Sequence, residues 1–263
     1  MTKKLLLIDG DEMVFKATSA IEQEVRWDEC NHVLWSNPEH AWENFEGIIH
    51  RLFDRFDVEP ESAVICFSGT YKVPNFRLAI DETYKGHRSK DRKPMCYWDV
   101  RERCVANYVT KDFPGLEADD VMGILATKPG AKHRIIVSQD KDMKTIPTTV
   151  WNGKDLVTYS EAEADYWHLY QTLIGDTADG YKGCPKFGPV KAEKLLTFDH
   201  ESVPAANARV LMLWGRVVGA YQKAGLTEAD ALAQARLARI LRWTDWDTEK
   251  KEPILWTPST ASC

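Results

Sequence analysis

Gly115-Leu116-Glu117-Ala118-Asp119-Asp120-Val121-Met122-Gly123-Ile124-Leu125-Ala126 reads as the opening of a helix. Pro114-Gly115 breaks whatever precedes it, and three acids crowd the first turn, where the helix dipole favours negative charge. Ala118, Val121, Met122 and Leu125 recur at i, i+3, i+4 and i+7, which makes a buried face. Glu117 and Asp120 stand three apart and share another face. Taken alone, these acids need be no more than dipole partners, worth roughly 0.3–1 kcal/mol each. What changes the reading is that acids recur at the ends of other apolar runs.

The first such run is Lys4-Leu5-Leu6-Leu7-Ile8, a short continuous apolar stretch that predicts a buried central strand and ends in Asp9-Gly10-Asp11. Arg134-Ile135-Ile136-Val137-Ser138 predicts another and ends in Gln139-Asp140-Lys141-Asp142. Ala63 to Phe67 reads as a strand closed by Ser68-Gly69. Between strands, Pro38 to Phe56 carries the stripe Phe45, Ile48, Ile49, Leu52, Phe53 and Phe56, a strong amphipathic helix whose aromatics are core. Tyr97, Val100, Cys104 and Tyr108 mark one side of a further helix. Thr149-Val150-Trp151 and Leu156-Val157-Thr158-Tyr159 suggest a hairpin around Asn152-Gly153. Alternating strands and helices imply an α/β fold with a mostly parallel sheet. Acids at the carboxyl ends of its strands lie where such sheets place ligands. The plainer alternative is a set of turns with solvated Asp.

The second half reads as helical. Ser160-Glu161-Ala162-Glu163 is a capping box that starts a helix running to Ile174. That helix stops at Gly175-Asp176-Thr177-Ala178-Asp179-Gly180. Gly183-Cys184-Pro185-Lys186-Phe187-Gly188-Pro189 follows, and Pro189 suits the first turn of a new helix carrying Lys191 and Lys194. A helix, a Gly-rich loop and a Lys-bearing helix start make a grip for a phosphate backbone. The plainer alternative is a connecting turn whose lysines face water. Asn207 to Ala224 and Thr227 to Arg242 predict two more helices, and Trp243, Trp246 and Trp256 are expected to pack back on the body.

Composition bounds the classes. The chain has 263 residues, 44% of them hydrophobic and 28% charged, ordinary for a soluble globular protein. No apolar run suits a bilayer span, and no signal-peptide pattern is read before the first strand. Cys30, Cys66, Cys96, Cys104, Cys184 and Cys263 form no CxxC pair, so free thiols in a reducing cytoplasm are expected. The seven histidines form no HxxxH or HExxH. The net charge of −6 argues weakly against a nucleic-acid partner. Its distribution argues otherwise. Lys72, Arg77, Lys85, Arg88, Lys90, Arg92 and Lys93 face only Asp81, Glu82 and Asp91; Lys182, Lys186, Lys191 and Lys194 face only Glu193. The first segment embeds Tyr84, and cations around an aromatic ring suit frayed or single-stranded nucleic acid as well as they suit an exposed loop.

Asp9, Asp11, Glu117, Asp119, Asp120, Asp140, Asp142, Asp176 and Asp179 come from four separated places. Nine carboxylates cannot converge without counter-charge, since like charges raise each other's pKa. Oxygen-only ligation suits Mg²⁺ or Mn²⁺ rather than zinc. Setting those nine aside leaves 31 acids against 34 bases, so the remainder is basic. Two such ions about 4 Å apart activate a water and stabilise the leaving oxygen of a phosphodiester.

In these residues the chain resembles the 5′-nuclease (flap endonuclease, PIN-like) superfamily, and within it the 5′→3′ exonucleases of short-tailed phages. The resemblance is carried by LLLIDGD, NFRLAIDETYKGHR, GLEADDVMG, IIVSQDKDMKTI, YWHLYQTLIGDTADGYKG and RILRW, in family order over nearly the whole chain. None of them is specific alone; together they are strong. The resemblance implies a PIN-like core over residues 1–160, with a helical arch at about 72–110, and a helix–two-turn–helix and helical region over 161–263, tightly packed on it. It implies that Asp9, Glu117 and Asp119, with Asp120, match a first metal cluster, and that Asp140, Asp142, Asp176 and Asp179 match a second. It implies that Tyr84, Lys85 and Arg88 act at the base of the arch on the scissile end. It places Arg77, Lys182, Gly183, Lys186, Gly188, Lys191 and Lys194 against duplex DNA, sometimes with a monovalent cation such as K⁺ at the loop.

The activity implied is a two-metal Mg²⁺ nuclease, with Mn²⁺ as substitute, on double-stranded DNA bearing a 5′ end or flap. Flap-endonuclease and RNase H-type action on RNA–DNA hybrids would accompany it, in a monomer in the host cytoplasm. One departure stands out: where the family has an Asp after the second strand, this chain has Ser68-Gly69. Either the first metal site is looser or Asp11 compensates. Two other readings compete. LLLIDGDEMVF and GDTAD resemble the haloacid-dehalogenase-like phosphatases, although Asp176 and Asp179 are spaced too closely and a helix precedes them. The Ser68-Gly69 change would also suit a structure-specific DNA-binding protein with impaired catalysis.

Overall fold

The computed structural model describes residues 4–69, 72–87, 92–130, 132–197 and 206–258. Its centre is β1 (Lys4–Asp9), in parallel register with β4 (Ala63–Cys66) on one side and β6 (His133–Val137) on the other. Ile8 stands opposite both Ile65 and Val137. With β5 (Thr110–Lys111), β7 (Thr149–Trp151) and β8 (Leu156–Thr158) the sheet runs β5-β4-β1-β6-β7-β8. Only the β7–β8 pair is antiparallel, and it is the hairpin expected around Asn152-Gly153. The α/β expectation with a mostly parallel sheet therefore holds.

The apolar run of β1 is continuous because both faces of the sheet are covered. Leu6 and Ile8 point into one core with α1 (Gly10–Ser19), α2 (Pro38–Phe56) and α3 (Tyr97–Asn107), where Met13, Phe45, Ile49 and Val100 are buried. Leu7 points the other way, onto Val121, Met122 and Ile124 of α4 (Ala118–Thr127). In α4 the buried set is wider than its periodicity implied. Gly123 is buried and Leu125 only half-buried, because Leu241 crosses behind the helix. A Cβ on Gly123 would stand 2.3 Å from the Leu241 carbonyl oxygen.

Four further helices, α5 (Glu161–Ile174), α6 (Pro189–Leu196), α7 (Ala206–Lys223) and α8 (Glu228–Ala238), enclose a second core of Leu169, Leu173, Leu213, Trp214 and Tyr221. Trp256 seals this core and Trp246 joins the α4 side, as the aromatic tail suggested. The Ser160 capping box is present, with Glu163 accepting from the Ser160 N–H at 2.8 Å.

Several elements differ from the sequence reading, which placed neither α1 nor β5. The last helix ends at Ala238 rather than Arg242, because the following residues are claimed by other partners: the Leu241 N–H donates to Asp120 Oδ1 at 3.1 Å and Arg239 Nε donates to Asp245 at 2.8 Å. A hairpin of β2 (Gln23–Arg26) and β3 (His32–Trp35) stands almost wholly exposed after α1. With no buried face it leaves no alternation to read. All five described cysteines are free thiols, four of them buried; Cys263 lies outside the described residues. Among the described residues no helix is long and apolar enough to cross a membrane.

Candidate active site

Parallel register brings the carboxyl ends of β1 and β6 to one edge, so Asp9 and the segment after Val137 become neighbours. Asp9 caps α1 by accepting from the Glu12 N–H at 2.9 Å, and Ser138 Oγ donates to its other oxygen at 3.1 Å. Burial, with Glu12 and Asp11 nearby, pushes its carboxyl up to about 7. Ser138 also reaches Glu12 at 3.0 Å, and Glu12 accepts from the Gln139 N–H at 2.9 Å. Glu12 thus joins the acidic edge. The sequence reading missed it because one Glu in a helix's first turn looks like a dipole partner.

From across the edge come Glu117 and Asp119 at the start of α4. Asp119 is raised well above the ordinary carboxyl range by burial, by Asp9 and by Asp140. Glu117 behaves oppositely. Burial works against its charge, but the Lys85 ammonium and the Arg77 guanidinium outweigh it and hold Glu117 low. Lys85 Nζ lies 2.7 Å from Glu117 and 3.5 Å from Asp179. The Tyr84 hydroxyl, in a buried side chain, lies 3.1 Å from Glu117 and 3.2 Å from Asp179. Lys85 has φ 53°, and this left-handed backbone is fixed by its N–H donating to the Asp179 carbonyl at 2.9 Å. Two adjacent residues therefore tie the α4 acids to the acids after α5.

The second acidic set surrounds Lys141. Asp140 caps a short 3-10 turn, accepting from the Asp142 N–H at 2.7 Å. Asp142 is pushed up to about 7 by burial and by Asp140, and Gln171 Nε2 donates to it. Asp176 is held low: burial opposes its charge, but Lys141 Nζ at 2.7 Å and the Ala178 N–H prevail. Among the described residues no three acids already converge tightly enough to hold one ion. The Lys85 and Lys141 ammonium groups stand between them instead. The donor set, all oxygen and with three members driven toward their protonated forms, is the kind that a divalent cation relieves.

Several expected roles change in the fold. Asp120 is fully buried and forms a two-pronged pair with Arg77, at 2.7 and 2.8 Å. It also accepts from the Glu117 and Leu241 N–H groups, so its oxygens face protein rather than an ion. Arg77 is 2% exposed and donates in addition to the Leu237 and Arg239 carbonyls. It cannot meet a DNA backbone. Tyr84, at 5% exposure, cannot stack on a base. Gly183 is needed for close packing, since a Cβ there would stand 2.3 Å from the Gly175 nitrogen, and its N–H donates to Gln234. It has no amide to offer a phosphate. Gly188 is open around its Cβ position, and Lys182, Lys186, Lys191 and Lys194 are exposed. Arg88 lies outside the described residues.

The Ser68-Gly69 departure has a structural account. Ser68 Oγ accepts from the Ala118 N–H at 3.1 Å, and its own N–H donates to Asp11 Oδ2 at 2.9 Å. Asp11 is further held by the Tyr97 hydroxyl at 2.7 Å. Asp11 therefore braces the Ser68 turn. Gly69 is needed because a Cβ would lie 2.4 Å from the Phe113 carbonyl oxygen.

Comparison with known proteins decides the family. Residues 4–166 match the model of the 5′-3′ exonuclease N-terminal resolvase-like domain. The chain belongs to the 5′-3′ exonuclease family. Family membership makes it a 5′→3′ exonuclease, a hydrolase of phosphodiester bonds, and sets aside the phosphatase reading. The exodeoxyribonuclease of Enterobacteria phage T3 is 33% identical over 97% of this chain and 93% of its own length. The exonuclease of Escherichia phage T7 is 31% identical over 97% and 94%. In fold, the exonuclease is similar to the T5 D15 protein co-crystallised with metal ions, with a TM-score of 0.63, 15% identity, and 90% and 89% of the two chains covered. A T5 D15 flap endonuclease complex with DNA and metal ions matches at a TM-score of 0.56 and 15% identity, over 90% and 93%.

Proposed function

We propose that this exonuclease degrades duplex DNA from a 5′ end with two Mg²⁺ ions, Mn²⁺ serving as substitute, and that it also cuts 5′ flaps and RNA–DNA hybrids. The observation that carries the reading is the bridge made by Tyr84 and Lys85, which joins Glu117 of one acidic set to Asp179 of the other. Asp9, Glu117 and Asp119 would hold one ion and Asp140, Asp142, Asp176 and Asp179 the other, with Asp120 removed from the set. When bound, such ions supply an activated water and charge stabilisation at the leaving oxygen. Lys85 stays charged, because burial is outweighed by Glu117 and Asp179. Its ammonium is a preorganised donor for charge developing on the scissile phosphate. Tyr84 orients Glu117 and Asp179 from behind.

Exposed Lys182, Lys186, Lys191 and Lys194 in the 161–263 region would hold the duplex through its backbone, independently of sequence. Lys191 Nζ donates to the Lys186 carbonyl at 3.0 Å, so this loop already accepts a cationic group, consistent with K⁺ there. We place the protein as a monomer in the host cytoplasm. The test is one 5′-labelled flap duplex with Mg²⁺, beside its RNA–DNA counterpart. Release of 5′ mononucleotides and a cut at the flap base is the expected product pattern. Degradation only from the 3′ end, or full activity in excess EDTA, sinks the reading.

A further inference from the structure

An open cleft of about 730 Å³ lies beside the acidic edge, between α1, α2 and the ends of β6 and β7. Met13, Ile48 and Leu52 give it an apolar wall, and Ser138, which donates to Asp9, closes the side nearest the acids. Its charged lining is Lys16, Arg51 and Arg55 against one acid, Asp54. The two arginines stand at i and i+4 on α2, where like charges repel. Among the described residues neither has a carboxylate partner, unlike Arg26, Arg77, Arg92, Arg103, Arg239 and Arg242. Arg55 is held in place by stacking over the Trp151 ring, 3.8 Å from its centroid. Two exposed guanidinium groups one helical turn apart, one of them fixed by stacking, suit a phosphate. The volume beneath them falls in the range of small-ligand sites.

We propose that this cleft binds one nucleoside monophosphate unit, its phosphate on Arg51 and Arg55 and its flat ring against Met13, Ile48 and Leu52. The unit can come from two sources: a nucleotide of the substrate strand next to the cut, or the free mononucleotide released by it. The proposal rests on the nuclease reading for its source of ligand. Its test does not need turnover.

Calorimetric titration of the full chain with a deoxynucleoside 5′-monophosphate, in EDTA so that no ion contributes, should show saturable one-site binding. The double variant R51Q/R55Q should weaken it at least about tenfold, or 1.4 kcal/mol. R51Q alone, which leaves the Trp151 stack untouched, should weaken it by a smaller factor. Both side chains are exposed, so thermal melting should change only slightly, through loss of the Arg55–Trp151 stack. If the double variant also loses affinity for flap DNA, the cleft holds a nucleotide of the strand. If DNA affinity is kept and only product inhibition disappears, it holds the free product. Absence of binding, or equal affinity in wild type and double variant, overturns the site, even with cleavage intact. Absence of 5′ cleavage by the wild-type chain, with mononucleotide binding intact, would fault the nuclease reading instead.

Discussion

Arg77 and Asp120 form a buried two-pronged ion pair, with nitrogen–oxygen distances of 2.7 and 2.8 Å, that joins the start of α4 to the chain after α8. Removing one partner of such a pair leaves an uncompensated buried charge, at a cost of about 3–5 kcal/mol. Asp120→Asn and Arg77→Ala should therefore each lower the melting temperature by roughly 10 °C in calorimetry. Any loss of cleavage should follow from unfolding. A variant that melts like wild type yet no longer cleaves would return Asp120 to the ligand set.

The acids expected to work at the ions should behave in the reverse manner. Asp119→Ala and Asp140→Ala should cost several orders of magnitude in single-turnover cleavage, because each would hold an ion that carries chemistry. Duplex affinity should persist, since the exposed lysines lie elsewhere. Asp119→Ala should not melt earlier in EDTA, whereas Asp140→Ala should lose about 1 kcal/mol with the cap it gives the 3-10 turn. Asp119 is a half-buried acid crowded by Asp9 and Asp140, so its removal relieves repulsion. Cleavage within tenfold of wild type would exclude the residue concerned as a ligand.

Stability should depend on pH and metal together. Asp9 and Asp142 are pushed up to about 7, and Asp119 is also raised. Between pH 4 and 7 the folded chain thus holds protons that the unfolded chain releases, so these groups lose their stabilising contribution as pH rises through 7. Divalent metal binds the ionised forms and should raise the melting temperature more at pH 8 than at pH 5.5. Buried His168, held low by burial and by Arg239, tilts stability the other way below about pH 6.5. That slope is common to both metal conditions and cancels in the difference. An equal metal-induced shift at the two pH values would separate these acids from metal binding.

Duplex binding should fall on the lysine face. Lys186→Ala with Lys191→Ala should weaken affinity and make the salt dependence shallower, by about one unit for each phosphate left without its lysine. The bound-state cleavage rate should stay close to wild type. An unchanged salt slope would move the duplex surface elsewhere and leave α6 and its preceding loop with a structural role.

Much of the architecture is local enough to read directly from sequence. The apolar runs at Lys4–Ile8 and Arg134–Ser138, the stripe of Pro38–Phe56 and the Ser160 box each announce their element, because burial and capping act within a few residues. The site acids were also legible as strand and helix termini. What sequence alone could not decide is which of them face one another. Asp119 and Asp120 are adjacent in the chain, yet the helix turns one toward Asp9 and Asp140 and the other toward Arg77. Arg77 lies in a basic run that reads as a DNA surface, but its partners come from residues 120, 237 and 239. Gly183 reads as part of a phosphate loop, but packing sets it against Gly175 and gives its N–H to Gln234. Residue type and spacing determined which chemistry was available. The direction of each side chain, and hence which carboxylate keeps its charge for an ion, was decided by pairings between segments more than 30 residues apart in the chain.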